Sequence, residues 1–278
     1  ITRKWPKSLL LFAIILLMGT LSLIGLSMKG ATQKASSESL GSITNSFSMQ
    51  INRRTNPGTP RGAGNLRGED IEKISQVEGI TSSIKRINAI ADILDHEIIE
   101  TEETLQNQSP ERAKHFKNTV MVTGVNDSSK EDKFVSGAYK LVQGEHLTDK
   151  DKNQILMHED LAKKNGLKVG DKVRLKSNLY DADNEKGANE TVEVTIKGLF
   201  SGKNQAPLTY AQELYEDTLI SDLDTAAKLY GNTVQTATYE DATFFAKGDQ
   251  ELDALIEKIK ALDIPWNYFD LVKSSSTY

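Results

Sequence analysis

The chain contains no cysteine. A disulfide framework, a thiolate metal site and a cysteine nucleophile are thereby excluded, and ordinary apolar cores must hold the roughly 240 residues that follow the N-terminal stretch. Basic excess is lacking too: 34 Lys+Arg stand against 39 Asp+Glu, a formal charge of −5. A nucleic-acid binder needs a basic face to displace counterions, and none is supplied. There is no Gly-x-Ser-x-Gly elbow, and the glycines of GLFSGKN (Gly198 to Asn204) are misspaced for a phosphate loop. His96, His115, His146 and His158 are scattered without ligand spacing and read as solvated or hydrogen-bonded. No catalytic, cofactor-binding or metal-binding residue is assigned, and no cofactor is expected.

Three motifs imitate sites. Asp149, Asp151 and Asn153 with Asp160 copy a calcium-loop register, but Gln154 holds the glycine position and Ile155-Leu156-Met157 reads as a strand. Asp181, Asp183 and Glu185 read as a polar hairpin tip. Gly62, Gly64 and Gly68 in TNPGTPRGAGNLRG (Thr55 to Gly68) have the wrong spacing for a dinucleotide loop and read as a surface loop.

One long apolar run is present, Ser8 to Met28, SLLLFAIILLMGTLSLIGLSM. At ~1.5 Å per residue, a helix of about 21 residues reaches roughly 32 Å, enough to cross a ~30 Å hydrocarbon core. It reads as a transmembrane helix. A secretory signal has a shorter core and a small-residue cleavage site, and a buried soluble helix would carry a polar face. Trp5, Lys7 and Lys29 are expected at the membrane interfaces. Arg3, Lys4 and Lys7 put the N-terminus in the cytoplasm and everything after Met28 outside the cell membrane. Setting those three residues aside leaves 31 basic against 39 acidic residues, about −8. Ile1 in place of methionine and the polar ending SSSTY read as a fragment of a longer chain.

Beyond the run, residues 29–46 form either a helical stalk or a Ser-rich linker. Phe47, Met49 and Ile51 alternate as a strand, Glu69 to Val77 is a helix, Ile80 to Leu94 a long strand or strand pair, and Thr119 to Val125 a strand. Later come strand Thr218 to Ile220, helix Leu223 to Tyr230, strand Ala242 to Ala246, a helix carrying Leu252, Leu255, Ile256, Ile259 and Leu262, and a strand through Trp266, Tyr268 and Leu271. The spacing of Ile71, Ile74, Val77 and Ile80 nearly repeats in Ile256, Ile259, Leu262 and Ile264, which suggests two related strand-helix-strand halves. Between them, residues 128–207 have a different texture: a short helix Glu159 to Asn165, a Gly170-Asp171 turn, a strand Lys172 to Leu175 and a partner strand through Val192, Val194 and Ile196. This reads as a small β-rich insertion, with 47–127 and 208–278 as the halves of the surrounding unit.

The segments LVQGEHL (Leu141 to Leu147), ILMHEDLAKKNGLKVGDKVRL (Ile155 to Leu175) and VEVTIKGLF (Val192 to Phe200) resemble the extracytoplasmic domain of MacB-like and FtsX-like ABC transporter permeases, with streptococcal Vex-type peptide-exporter permeases the nearest group. Gly144, Leu161, Ala162, Gly170, Asp171 and Gly198 are the positions that carry the match. The resemblance implies an α+β fold: the transmembrane helix, then a porter-like βαβ-type α/β domain with an inserted small β-rich (Sabre-like) subdomain. It also implies a four-span permease that pairs with a second permease subunit and a cytoplasmic ABC ATPase subunit. The external part then couples the ATPase cycle to export of, or mechanical work on, a substrate of peptide or lipophilic character, at a Gram-positive surface. No catalytic residue is implied, because ATP is hydrolysed by the partner. The competing readings are a single-span surface binding protein or sensor ectodomain, and an anchored hydrolase.

Overall fold

The computed structural model describes residues 45–58, 65–100, 109–206, 208, 213–248 and 251–274. The expected span Ser8 to Met28, its interface residues Trp5, Lys7 and Lys29, and nearly all of 29–46 lie outside the described residues. Among the described residues no helix is long and apolar enough to cross a membrane.

In chain order the elements are β1 (Ser46–Ile51), β2 (Leu66–Arg67), α1 (Gly68–Ser75), β3 (Ile80–Ile93), α2 (Pro110–His115), β4 (Thr119–Val125), α3 (Asp132–Val135), β5 (Lys140–Gly144) and β6 (Gln154–His158). Then follow α4 (Glu159–Lys164), β7 (Lys172–Ser177), β8 (Thr191–Ser201), β9 (Thr218–Asp222), α5 (Leu223–Leu229), β10 (Thr238–Tyr239), β11 (Asp241–Ala246), α6 (Leu252–Lys260) and β12 (Phe269–Lys273). The long stretch after Ile80 is one 14-residue strand, and β3 joins two structures.

The first uses the N-terminal part of β3. The strand order β12-β1-β11-β3 is antiparallel throughout. β1, α1 and β3 make one split βαβ unit, and β11, α6 and β12 make the other; each leaves room for a strand that its counterpart supplies. The two strand-helix-strand halves are therefore interlocked. Ile71 and Ile74 of α1 and Leu255 and Ile259 of α6 are fully buried, in one core with Phe47, Met49 and Phe244. β12 starts later than the apolar pattern indicates, because Tyr268 N–H donates to Pro265 O (2.9 Å) and Trp266 N–H to Ile264 O (2.8 Å), closing turns over residues 264–268.

The second uses the C-terminal part of β3. Here β3 pairs β4, β4 pairs β9, β9 pairs β6, β6 pairs β8, β8 pairs β7, and β7 returns to β3, closing a six-stranded barrel. Ala91 marks the closure, with Val120 as partner on one edge and Ser177 on the other. β11 leaves the edge of β3 at Arg86 and β7 joins it at Ala91; in the gap the Ile90 N–H donates to the Tyr230 hydroxyl (3.1 Å). Ile93, Val122, Ile155, Met157, Val173, Leu175, Val194, Ile196 and Leu219 alternate along the barrel strands and share the main core. α5 packs against β3 and β4 through Ala226 and Ala227. A Cβ on Gly124 would lie 2.5 Å from that of Ala226, so a residue without a side chain lets the helix approach.

Residues 128–207 thus have no sheet of their own. They contribute β5, β6, β7 and β8, and β6 and β7 hydrogen-bond to β9 and β3 of the flanking segments. The expected borders at 128 and 207 coincide with no break in strand pairing, because β4 and β9, placed in the surrounding halves by sequence, complete the barrel. A smaller core, with Val125, Tyr139, Leu147, Leu156, Phe200 and Ile220, lies apart from the main one and is joined by Phe134, Leu141 and Tyr215.

Candidate functional site

The six motif residues are placed in three contacts that brace the barrel. Gly144 and Gly198 are direct partners across β5 and β8. Gly144 has φ +75°, and a Cβ there would lie 2.1 Å from Lys197 O. Gly170 has φ +96°; its N–H donates to Ile196 O (2.8 Å), Ile196 N–H donates to Asp171 O (2.8 Å), and the Asp171 carboxylate accepts from Lys168 N–H (3.0 Å). This turn ties the start of β7 to β8. Leu161 and Ala162 are the buried face of α4, and Ala162 O accepts from Leu167 N–H (2.8 Å). These residues do not converge on one pocket.

The false friends are committed elsewhere. Asp151 accepts from Lys197 Nζ (2.7 Å) and Thr148 N–H (2.7 Å), and residues 155–157 lie in β6. The stretch around Asp181 is the polar connection of the β7–β8 hairpin, and within it Asp181 is buried and accepts the Tyr230 hydroxyl proton. Beside it Asn178, also buried, donates to Asp92 Oδ1 (3.0 Å) and His115 O (3.0 Å), so residues 178–188 are sewn to the barrel.

Among the described residues one cluster has metal-like composition, His158, Asp160 and Glu216. Its donors are occupied. His158 Nε2–H donates to Gly202 O (2.7 Å), and Nδ1 accepts from Asp160 N–H (3.0 Å), capping α4. Neither ring nitrogen has a free lone pair. Lys203 Nζ lies 3.3 Å from Asp160 and 3.5 Å from Glu216, and these carboxylates raise its pKa. The site already holds a cation, its own lysine. Two of the other three histidines also have structural neighbours: His115 stacks on Tyr180 with ring centres 3.6 Å apart, and His146 Nδ1 lies 2.7 Å from the Ser128 hydroxyl.

The feature that pattern reading missed is a groove on the outer face of β3, β4 and β9, about 300 Å³ in volume. Arg86 and Asn88, Met121 and Thr123, and Thr218 and Ile220 form its floor as i, i+2 pairs from the three strands. Arg86 Nη1 meets Glu131 at 3.2 Å, and its Nη2 donates to Asp241 at 2.5 Å. Glu131 is itself buried and caps α3 by accepting from Lys133 N–H (2.7 Å). Lys133 Nζ stands 5.5 Å from the centre of the Tyr139 ring and 5.2 Å from that of Tyr215. Burial raises the pKa of Tyr139 and keeps it a donor. In the sequence these residues are spread from 86 to 220 with no shared motif, so no local signal joins them.

The architecture is a mixed α/β domain dominated by one sheet, with no assembled catalytic constellation among the described residues. The chain belongs to the MacB-like periplasmic core domain family, whose model matches residues 8–262, and is a domain of a MacB-like ABC transporter permease. Similar solved structures include the periplasmic region of MacB from Actinobacillus actinomycetemcomitans, 16% identical, covering 84% of this chain and 91% of that one at a TM-score of 0.46. Another is the extracellular domain of the ABC-type transporter YknZ from Gram-positive bacteria, 13% identical, covering 76% and 88% at a TM-score of 0.40. No curated protein matches.

Proposed function

We propose that this chain is the extracellular domain and first span of a permease that couples ATP hydrolysis in a cytoplasmic partner to export, or to mechanical work on a substrate at the outer membrane face. The observation that carries the reading is the family match, which starts at residue 8 and so takes in the apolar run as well as the folded domain. On this reading Ser8 to Met28 crosses the membrane with the N-terminus in the cytoplasm, and Trp5, Lys7 and Lys29 sit at its interfaces. A second permease subunit completes the assembly. The chain itself is non-catalytic, consistent with histidines and acids that are engaged in capping, stacking and ion pairs. The shared strand β3 favours motion of the domain as one body, because the barrel and the interlocked βαβ units have no linker between them.

The test is to express the complete gene and look for an ATPase, encoded beside it, that co-purifies and whose hydrolysis rate changes in the complex. Absence of any such partner, with no further spans downstream of Tyr278, would overturn the proposal.

A further inference from the structure

We propose that the face of β12-β1-β11-β3 turned away from α1 and α6 is an interface with a second copy of this chain, packed sheet on sheet about a two-fold axis that runs along the strands between β1 and β11. Directly paired residues point to one side of a sheet, and side chains alternate along each strand. Phe47, Met49 and Phe244 point into the helix-covered core, so the opposite face carries Val272, Ser48, Thr243 and Ile84 as one row across the four strands. The next row, toward the start of β1, passes through Ser46, Phe245 and Ser82. Although 26% of the chain is charged, neither row holds a charge. Val272 is 42% exposed, Ser82 is exposed, and Ile84, Thr243 and Phe245 are half-buried. A sheet face meant for water alternates in charged and polar residues, whereas an uncharged centre marks a surface that another surface covers.

The face is complementary to itself. A two-fold axis between β1 and β11 sets β12 against β3 of the second copy and β1 against its β11. Val272 then meets Ile84, and Ser48 meets Thr243: apolar on apolar, hydroxyl on hydroxyl. The row beyond, toward the end of β1, is charged, with Asp270 beside Gln50 and Asp241 beside Arg86. The same axis brings Asp270 to Arg86 and Gln50 to Asp241. Moving the axis onto β1 sets Asp270 against Asp241, and moving it onto β11 sets Asp241 against its own counterpart, so the central position keeps the carboxylates apart. Three rows at ~7 Å and four strands at ~4.8 Å make roughly 400 Å² of sheet per copy, less than the ~800 Å² per partner of a free-standing complex. Tethering in one membrane supplies the missing effective concentration, so the interface rests on the permease reading. Residues 1–44 join the sheet at the Ser46 end of β1. Two copies entering from one membrane therefore carry their rows at one height with strands running the same way, which is what this axis produces.

The chain has no cysteine, so a single introduced thiol reports its own surroundings. Thr243→Cys in the full chain, in membranes of the expressing cells, is treated with a short bismaleimide, a reagent suited to packed sheets about 10 Å apart. A product of twice the chain mass is expected, and none from Lys140→Cys on β5, at the other end of the strand order. Val272→Glu places a carboxylate against Ile84 of the second copy and should cut the cross-linked fraction about tenfold. Adding Ile84→Lys to the same chain should restore most of it, because the two positions lie on β12 and β3, three strands apart within one copy, and meet only across the interface; a misfolded variant would not be rescued. No product from Thr243→Cys, equal product from Lys140→Cys, or a loss that Ile84→Lys fails to reverse would each overturn the interface. Cross-linking of Thr243→Cys to a different protein would overturn the second copy as its occupant. The permease reading survives all of these outcomes, since the co-purifying ATPase tests it separately.

Discussion

Gly144 and Gly198 face each other across β5 and β8, where a Cβ on the first would lie 2.7 Å from the Cα of the second. A Cβ on Gly198 would in turn lie 2.9 Å from Gln143 O and 3.0 Å from Leu156 Cδ2. The close approach and the φ of +75° at Gly144 add together. Gly144→Ala should cost at least ~3 kcal/mol and Gly198→Ala about 1–3 kcal/mol. Denaturant midpoints at unchanged m-value measure both, and a Gly144→Ala variant as stable as the parent would show that the strands part easily.

Leu175 of β7 and Val122 of β4 come from segments that sequence texture separates, yet both are fully buried in one core. Leu175→Ala should cost roughly 2–5 kcal/mol and shift the single transition that Val122→Ala also shifts. Two thermal transitions, with only one moved by Leu175→Ala, would mean that the barrel is not one cooperative unit.

Asn178 is 1% exposed and holds Asp92, His115 O and, through its own Oδ1, the Tyr180 N–H (2.8 Å). Its replacement by alanine strands a carbonyl and an N–H inside the protein. We expect a loss of roughly 2–3 kcal/mol and faster hydrogen exchange at Tyr180 and Asn184. Exchange spread evenly over the whole chain would instead indicate global loosening.

Asp217 is fully buried, and burial raises its pKa from 3.8 to about 6 despite hydrogen bonds from Ile99 N–H and Glu100 N–H; neighbouring Glu216 and Glu100 push it the same way. The folded state therefore holds the proton more tightly than the unfolded state. This contribution is complete below pH 3.8 and lost as pH rises through about 6. Its size is on the order of 2–3 kcal/mol. Unfolding free energies between pH 4 and pH 6.5 should fall in the native chain and fall less in Asp217→Asn; identical slopes would remove Asp217 as the cause.

The sequence by itself determined most of the local elements. Alternation at Phe47, Met49 and Ile51 marks β1, three-residue spacing at Ile71 and Ile74 marks α1, and Gly170-Asp171 opens β7, because periodicity and turn chemistry report which face is buried and where the chain must reverse. Partner choice was decided only in three dimensions. Strands pair through backbone groups that every residue carries, so nothing in TVMVTGV states that β4 lies between β3 and β9, or that β7 returns to β3 to close the barrel. The hidden strand pair β2 and β10 shows the same limit: Leu66 is buried inside a stretch that reads as a surface loop, where its strand partner is Tyr239, 173 residues away. The groove belongs to that second category. Arg86, Tyr139 and Thr218 meet because closing the barrel sets β9 beside β4 and carries residues 131–139 over their outer face, a consequence of topology rather than of any motif.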